Sequence, residues 1–354
     1  MPIFRGFKTS EIGVKLYSEE LLLCEINEIR KEIGHESVDI QIYDIIYNEK
    51  TKELWIITED RPDKAAIIGK GGWVVGKLRE KLKVNSIHVE NYANYLQKEY
   101  QLKLAGKTLT RFQDKSQAIF NLKKVLNEKL NHIYSFSINE YMKNNEFEEC
   151  EMPQAVVALS GGVDSSFSLI LAKKLGFNPI AVTVDAGTII LPNQFKHNIK
   201  DLCELLDVKH HYISADYSEI IAESLNGKFH PCGKCSKKTE ELVYDYAEEN
   251  NIEFVIYGDM LSTGTQCITK QRENIYRINL PASLSTSKQE IKSVTRDYEL
   301  REFDGFGCPL LYEVHRKFPH HKKFSIQRIL RETRASALEV GEALDLIWSF
   351  YKTK

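Results

Sequence analysis

From Pro153 onward, short apolar runs alternate with amphipathic stretches. Residues 155–159 are all apolar, and further strand candidates are Pro179–Asp185, Lys209–Ser214, Phe254–Asp259 and Tyr276–Leu280. Helical spacing fills the intervals, over Ser165–Leu175, Gln194–Leu206 and Ser236–Asn250. Such alternation predicts an α/β fold built on a doubly wound parallel sheet. Ligands of these sheets sit beyond the carboxyl ends of the strands, so Ser160, Asp185 and Asp259, which end three of them, are the first site candidates.

Upstream the pattern changes. Ser18 is placed to cap a helix whose Leu22, Ile26 and Ile29 share a face, and strands are expected at Val38–Tyr47 and Glu53–Thr58. A helix through Ala65–Ile68, a glycine loop Gly69-Lys70-Gly71-Gly72, a second helix to Leu82 and a strand over Asn85–Glu90 follow. Residues 91–150 read as polar helices with a stripe of Phe112, Ala118, Ile119, Leu122, Val125, Leu126 and Leu130. They are expected to connect two modules. The acidic stretch from Asn144 to Glu151, with Pro153 after it, marks a boundary. The expected domains are 1–95, α+β; 96–152, a helical connector; 153–312, the doubly wound domain; and 313–354, a basic helical segment with interleaved aromatics suited to phosphate and base stacking.

Composition changes this picture little. An apolar fraction of 42% and a charged fraction of 28% are those of a globular protein, and a net charge of −2 means that any basic surface is local. No apolar run approaches the roughly 18 residues of a membrane span, and Met1–Gly6 shows no signal-peptide core. Seven cysteines in such a chain point to a reducing, cytoplasmic setting with free, catalytic or metal-bound thiols.

The chemistry concentrates at Ser160-Gly161-Gly162-Val163-Asp164-Ser165-Ser166. Glycines at a strand-to-helix junction bring amides close to an anion, and a helix N-terminus favours phosphate. The two flanking serines add hydroxyls, and Asp164 beside a phosphate calls for Mg²⁺ between them. This run resembles the loop of the PP-loop ATP pyrophosphatases, which cleave ATP between its α and β phosphates and adenylate a substrate oxygen. The resemblance implies ATP and Mg²⁺ as cofactors. It places residues 160–166, Asp185, Ala186 and Gly258 around the nucleotide, with Asp164 and Asp259 in the catalytic machinery.

His230-Pro231-Cys232-Gly233-Lys234-Cys235 and the later Gly307-Cys308-Pro309 add a thiol set. A Cys-x-x-Cys at a helix start serves as a redox pair, half a zinc site or two iron–sulfur ligands. Within a PP-loop domain it resembles the tRNA thiolation enzymes that hold a 4Fe-4S cluster on three cysteines. Carried over, the ligands are Cys232, Cys235 and Cys308, with Cys267 as the alternative third, and a disulfide–persulfide relay as the alternative chemistry. Lys237 or Lys238 matches the lysine these enzymes place near ATP. Cys24, Cys150 and Cys203 stand apart. The glycine loop, with its flanking helices and strand, resembles a KH domain, and that resemblance implies RNA contact at Gly69, Lys70, Gly71 and Gly72, extended by Lys64, Lys77, Arg79 and Lys81.

The function expected is ATP-dependent thiolation of an RNA base, above all in tRNA. The expected partners are that RNA and a sulfur donor, either sulfide or a persulfide protein, with a homodimer allowed and no membrane. A transferase acting on a nucleotide-derived small molecule and an ATP-sensing RNA-binding regulator are the alternatives.

Overall fold

The structure is a computed structural model that describes residues 17–49, 51–145, 147, 152–301 and 306–351. The chain divides into two compact units, residues 1–97 and 98–354.

In the first unit, α1 (Glu19–Glu32) starts at Ser18, whose hydroxyl accepts from the Leu21 amide. Strands β1 (Ile42–Asn48) and β2 (Glu53–Thr58) pair antiparallel. Helices α2 (Arg61–Ile68) and α3 (Trp73–Leu82) flank the glycine loop, and β3 (Ser86–Asn91) returns parallel to β2. Sheet order is β1-β2-β3. Leu22, Ile26, Leu54, Ile56, Ile67, Val74 and Leu78 fill the core.

The second unit opens within α4 (Tyr92–Phe112) and continues through α5 (Gln117–Asn131) and α6 (Ile138–Asn144). These helices are not a connector. Their apolar stripe, including Leu102, Leu109, Leu122 and Leu126, lies in one core with Val157, Phe167 and Ile256 of the sheet layer. An amphipathic face this wide is buried, and no division falls near residue 152.

The sheet proper comprises β4 (Gln154–Ala158), β5 (Asn178–Asp185), β6 (Lys209–Ser214), β7 (Phe254–Tyr257), β8 (Ile268–Arg272) and β9 (Ile275–Asn279), in the order β6-β5-β4-β7-β9-β8. All neighbours are parallel except β8, which pairs antiparallel with β9. Helices α7 (Val163–Lys174), α8 (Asn193–Leu205), α9 (Ser218–Leu225) and α10 (Pro231–Glu249) make the crossovers. After β9 come α11 (Leu280–Ser283), α12 (Lys288–Arg296), α13 (Pro309–Lys317), α14 (Lys322–Arg334) and α15 (Val340–Ser349). The doubly wound parallel sheet is as expected. The antiparallel edge strand β8 is an addition that its polar sequence, Ile-Thr-Lys-Gln-Arg, did not announce.

Candidate active site

Loop 159–162 joins β4 to α7. Gly161 has φ +75°, and a Cβ there would run into the Phe195 carbonyl, so only glycine permits this turn. The Ser160 amide donates to Ser165 Oγ at 3.2 Å, the two hydroxyls lie 3.1 Å apart, and Ser165 Oγ donates to the Gly162 carbonyl at 3.0 Å. No side chain caps α7 at Gly162, which leaves its first-turn amides to an incoming anion. Ser166 is fully buried and its hydroxyl has no partner among the described residues. Ser168 Oγ lies 3.1 Å from the Asp164 carbonyl and 3.3 Å from that of Tyr257, which fastens the loop to the end of β7.

Asp164 carries a ligand that sequence reasoning missed. Lys288 Nζ lies 2.5 and 2.6 Å from its two carboxylate oxygens. Lys288 opens α12, whose first turn is a capping box of Ser287 and Glu290. Neither expected lysine reaches Asp164. Lys237 points to solvent and faces Glu241 at 3.9 Å. Lys238 donates to the Asp216 carbonyl and sits 5.0 Å over the Tyr217 ring. Both lie beyond the first turn of α10.

Asp185 bonds Lys196 at 2.6 Å and the Gly187 amide at 3.1 Å. Chiefly through the Lys196 bond, its carboxyl is held below the ordinary range. Ala186 beside it is buried. Gly258 lies against the loop: a Cβ there would come within 2.7 Å of the Asp164 carbonyl carbon. Asp259 accepts from the Leu261 amide at 2.9 Å and from Ser262 Oγ at 2.7 Å, and Arg277 stands 3.8 Å away. Arg277 stacks on Tyr257 at 4.1 Å and pairs with Glu240 at 3.1 Å. Asp259, Ser262, Arg277 and Glu240 line a polar cavity of about 480 Å³ that also touches Gln266 and Asn279. A cleft of about 530 Å³ on α8 and β6 shares only Lys196 with the residues above.

Cys232 and Cys235 lie in the first turns of α10, and Cys308 is the N-cap of α13. Burial, then the neighbouring Cys308, pushes the Cys232 thiol up to about 11. Burial, Cys308 and Cys232 push Cys235 up to about 12. Cys308 is raised by burial. The three thiols therefore share one electrostatic neighbourhood. Cys267 does not belong to it: fully buried, it has Ser283 and Thr108 as neighbours. Cys203 is buried, Cys24 is exposed, and Cys150 lies outside the described residues. Among the described residues no three His, Cys, Asp or Glu side chains stand at metal-ligating spacing. The donor chemistry nevertheless fits a soft metal or cluster: these thiols disfavour one another's charge, and a cation would relieve that.

The expected basic segment is only partly a surface. His315, His321 and Ser325 are buried, with Ser325 Oγ 3.2 Å from both His230 Nε2 and His315 Nε2. Burial holds His315 down to about 4, so it contributes no charge near neutrality. Arg316 and Arg328 are answered by Glu313 and Glu332.

In the first unit, Gly69, Gly71 and Gly72 all have positive φ, and a Cβ at Gly69 would collide with Val74. Trp73 beyond them is 65% exposed. The positive edge expected around this loop is largely neutralised: Lys64 pairs with Glu90, Lys77 with Glu32, and Lys81 with Glu25 and Glu28.

A glycine loop packed at the end of the first strand of a 3-2-1-4-5-type sheet, with carboxylates at two further strand ends, is the arrangement of a doubly wound α/β fold with its candidate site beyond the carboxyl ends of the strands. The chain belongs to the family of "Uncharacterized protein MJ1638" of Methanocaldococcus jannaschii, and its residues 154–269 match a PP-loop family. The family described as Queuosine biosynthesis protein QueC matches residues 154–269. Over 259 residues the chain is 35% identical to "Uncharacterized protein MJ1638" of Methanocaldococcus jannaschii, covering 72% of this chain and 93% of that one. It is 32% identical over 133 residues to a tRNA-cytidine(32) 2-sulfurtransferase of Francisella tularensis, spanning 34% of this chain and 45% of that protein. Among solved structures, the U34-tRNA thiolase NcsA from Methanococcus maripaludis with its 4Fe-4S cluster is 14% identical, with a TM-score of 0.35 over 60% of this chain and 76% of that one. NMN synthetase from Francisella tularensis is 17% identical, with a TM-score of 0.37 over 61% and 94%. Among the described residues no helix is long and apolar enough to cross a membrane.

Proposed function

We propose that the chain is an ATP-dependent sulfurtransferase that thiolates a base of RNA, above all tRNA. The observation that carries this reading is the thiol trio Cys232, Cys235 and Cys308 in the same unit as the PP-loop. The sulfurtransferase relatives point the same way. In the first step the base carbonyl oxygen attacks the α-phosphorus of ATP: an O–P bond forms and pyrophosphate leaves. Hydrosulfide then attacks the carbon that bore the carbonyl oxygen, a C–S bond forms, the C–O bond breaks, and AMP leaves; a persulfide attacking there instead leaves a C–S–S link, which a second thiol cleaves to release the thiolated base, closing a disulfide that an external thiol then reduces. Adenylation turns a poor leaving group into a good one.

The uncapped amides of α7, with the Ser160 and Ser165 hydroxyls, hold the leaving phosphates. Lys288 rests on Asp164; ATP phosphates would compete for the lysine, and Asp164 would then be the carboxylate to hold Mg²⁺. Asp259, held by Ser262, orients the acceptor at the polar cavity. Cys232, Cys235 and Cys308 would be the residues to hold a 4Fe-4S cluster, which would supply the sulfur-transfer chemistry when bound. For the first unit, the α-β-β-α-α-β order and the loop Gly69-Lys70-Gly71-Gly72 support a KH-like RNA-binding role. Thiolated nucleosides formed in RNA by the purified protein, ATP and sulfide test the proposal, and their absence together with ATP turnover on a small molecule would refute it.

A further inference from the structure

Lys288 occupies a position that its helix disfavours. It is the first residue of α12, where the helix dipole is positive and a cation is repelled. Two residues on, Glu290 accepts from the Ser287 amide through Oε2 at 2.7 Å. Its other oxygen takes the ammonium of Lys129 from α5, which is only 2% exposed. The Lys288 amide donates to the Ala337 carbonyl at 2.7 Å. The first turn of α12 is thus held from two sides, while its lysine reaches across to Asp164.

Stability alone gives no reason for this pair. Buried ion pairs are seldom better than apolar replacements, and a glutamine would complete the capping box as well as Glu290 does. We propose that Lys129 and Glu290 are positioning residues for the Lys288–Asp164 contact. They fix the rotation of the first turn of α12, so that the lysine ammonium stays against the PP-loop when ATP arrives. This rests on the reading that Lys288 and Asp164 serve the ATP phosphates.

The test uses full-length protein carrying E290Q, K129M, both together, K288A, and the triple combination. The double variant removes both charges of the pair and keeps the cap, with half-buried Lys98 as the neighbouring cation that remains, so it should fold even where a single variant does not. Its ATP-dependent pyrophosphate release should fall on the order of tenfold to a hundredfold in kcat. In the K288A background the same two substitutions should cost nothing further, because the pair acts through Lys288. An equal loss in that background, or wild-type kcat in the folded double variant, overturns the proposal. A second readout needs no turnover. Reductive methylation with carbon-13 gives Lys288 an NMR resonance, identified by its loss in K288A. A shifted resonance in the double variant supports the positioning role even if the wild type releases no pyrophosphate, an outcome that would overturn only the ATP chemistry. An unshifted resonance in the folded double variant overturns the positioning itself.

Discussion

Gly258→Ala isolates the contact between the end of β7 and the PP-loop. A Cβ at this position would lie 2.7 Å from the Asp164 carbonyl carbon and 2.8 Å from both the Asp164 oxygen and the Ser165 nitrogen. All three are backbone atoms, so no side-chain rotation relieves the crowding. Gly258 is not among the residues with positive φ, so alanine suits its backbone and the cost is steric. Ordinary contact begins near 3.4 Å, which means that loop and strand must part by about 0.7 Å. Overpacking of this kind costs about 1–3 kcal/mol. In a unit of this size the loss lowers the melting temperature by roughly 2–10 °C. The same shift moves Asp164 relative to Lys288 and Asp259, and misplacement approaching 1 Å reduces turnover by about a hundredfold. Pyrophosphate release and thermal unfolding measure the two effects. Gly341→Ala, with open space around it, is the control that should change neither adversely. Wild-type turnover and melting in Gly258→Ala would refute the packing argument.

Asp164→Asn removes the charge that holds Lys288 and the Mg²⁺ ligand, and should abolish pyrophosphate release without unfolding the chain; release at the wild-type rate would contradict the role given to the loop. Anaerobically reconstituted protein should lose iron and sulfide in Cys232→Ser, Cys235→Ser and Cys308→Ser but not in Cys267→Ser; full activity from a persulfide donor without iron would favour the relay instead. Lys70→Asp with Gly71→Asp should weaken RNA binding, read by filter retention across a salt series, and leave ATP affinity unchanged. Asp185 is depressed by Lys196, so its contribution is present near neutral pH and lost as pH falls through the folded-state value. Lys196→Met should therefore cost at most about 1 kcal/mol near neutral pH, given the partial exposure of the pair, and the two proteins should converge in stability once pH has fallen below the folded-state value.

Much of the fold was legible because it rests on local periodicity. The apolar β4, the buried α7 and the amphipathic α8 fall where the pattern put them, α10 begins at Pro231 ahead of the expected Ser236, and the loop between β4 and α7 is where Ser160–Ser166 indicated. The glycine loop of the first unit also sits between two helices, as expected. Misjudged features depend on long-range packing. Residues 98–144 carry an ordinary amphipathic stripe, and only the fold shows that it covers the main sheet layer. Lys288 meets Asp164 across 124 positions, a separation that no motif spacing encodes. One signal was available: a lysine directly after Ser287 in a Ser-x-x-Glu box stands at the wrong end of a helix dipole, which implies an anion elsewhere. His315 looked basic because composition does not show burial.

The central claim is that ATP activates an RNA base for sulfur transfer. Its most direct measurement incubates the purified, anaerobically prepared protein with ATP, Mg²⁺, sulfide and unmodified tRNA, followed by mass spectrometry of the digested nucleosides. The account predicts one nucleoside in which sulfur has replaced oxygen, formed in step with AMP and pyrophosphate, and absent with Asp164→Asn. AMP and pyrophosphate formed while every nucleoside keeps its oxygen would contradict it.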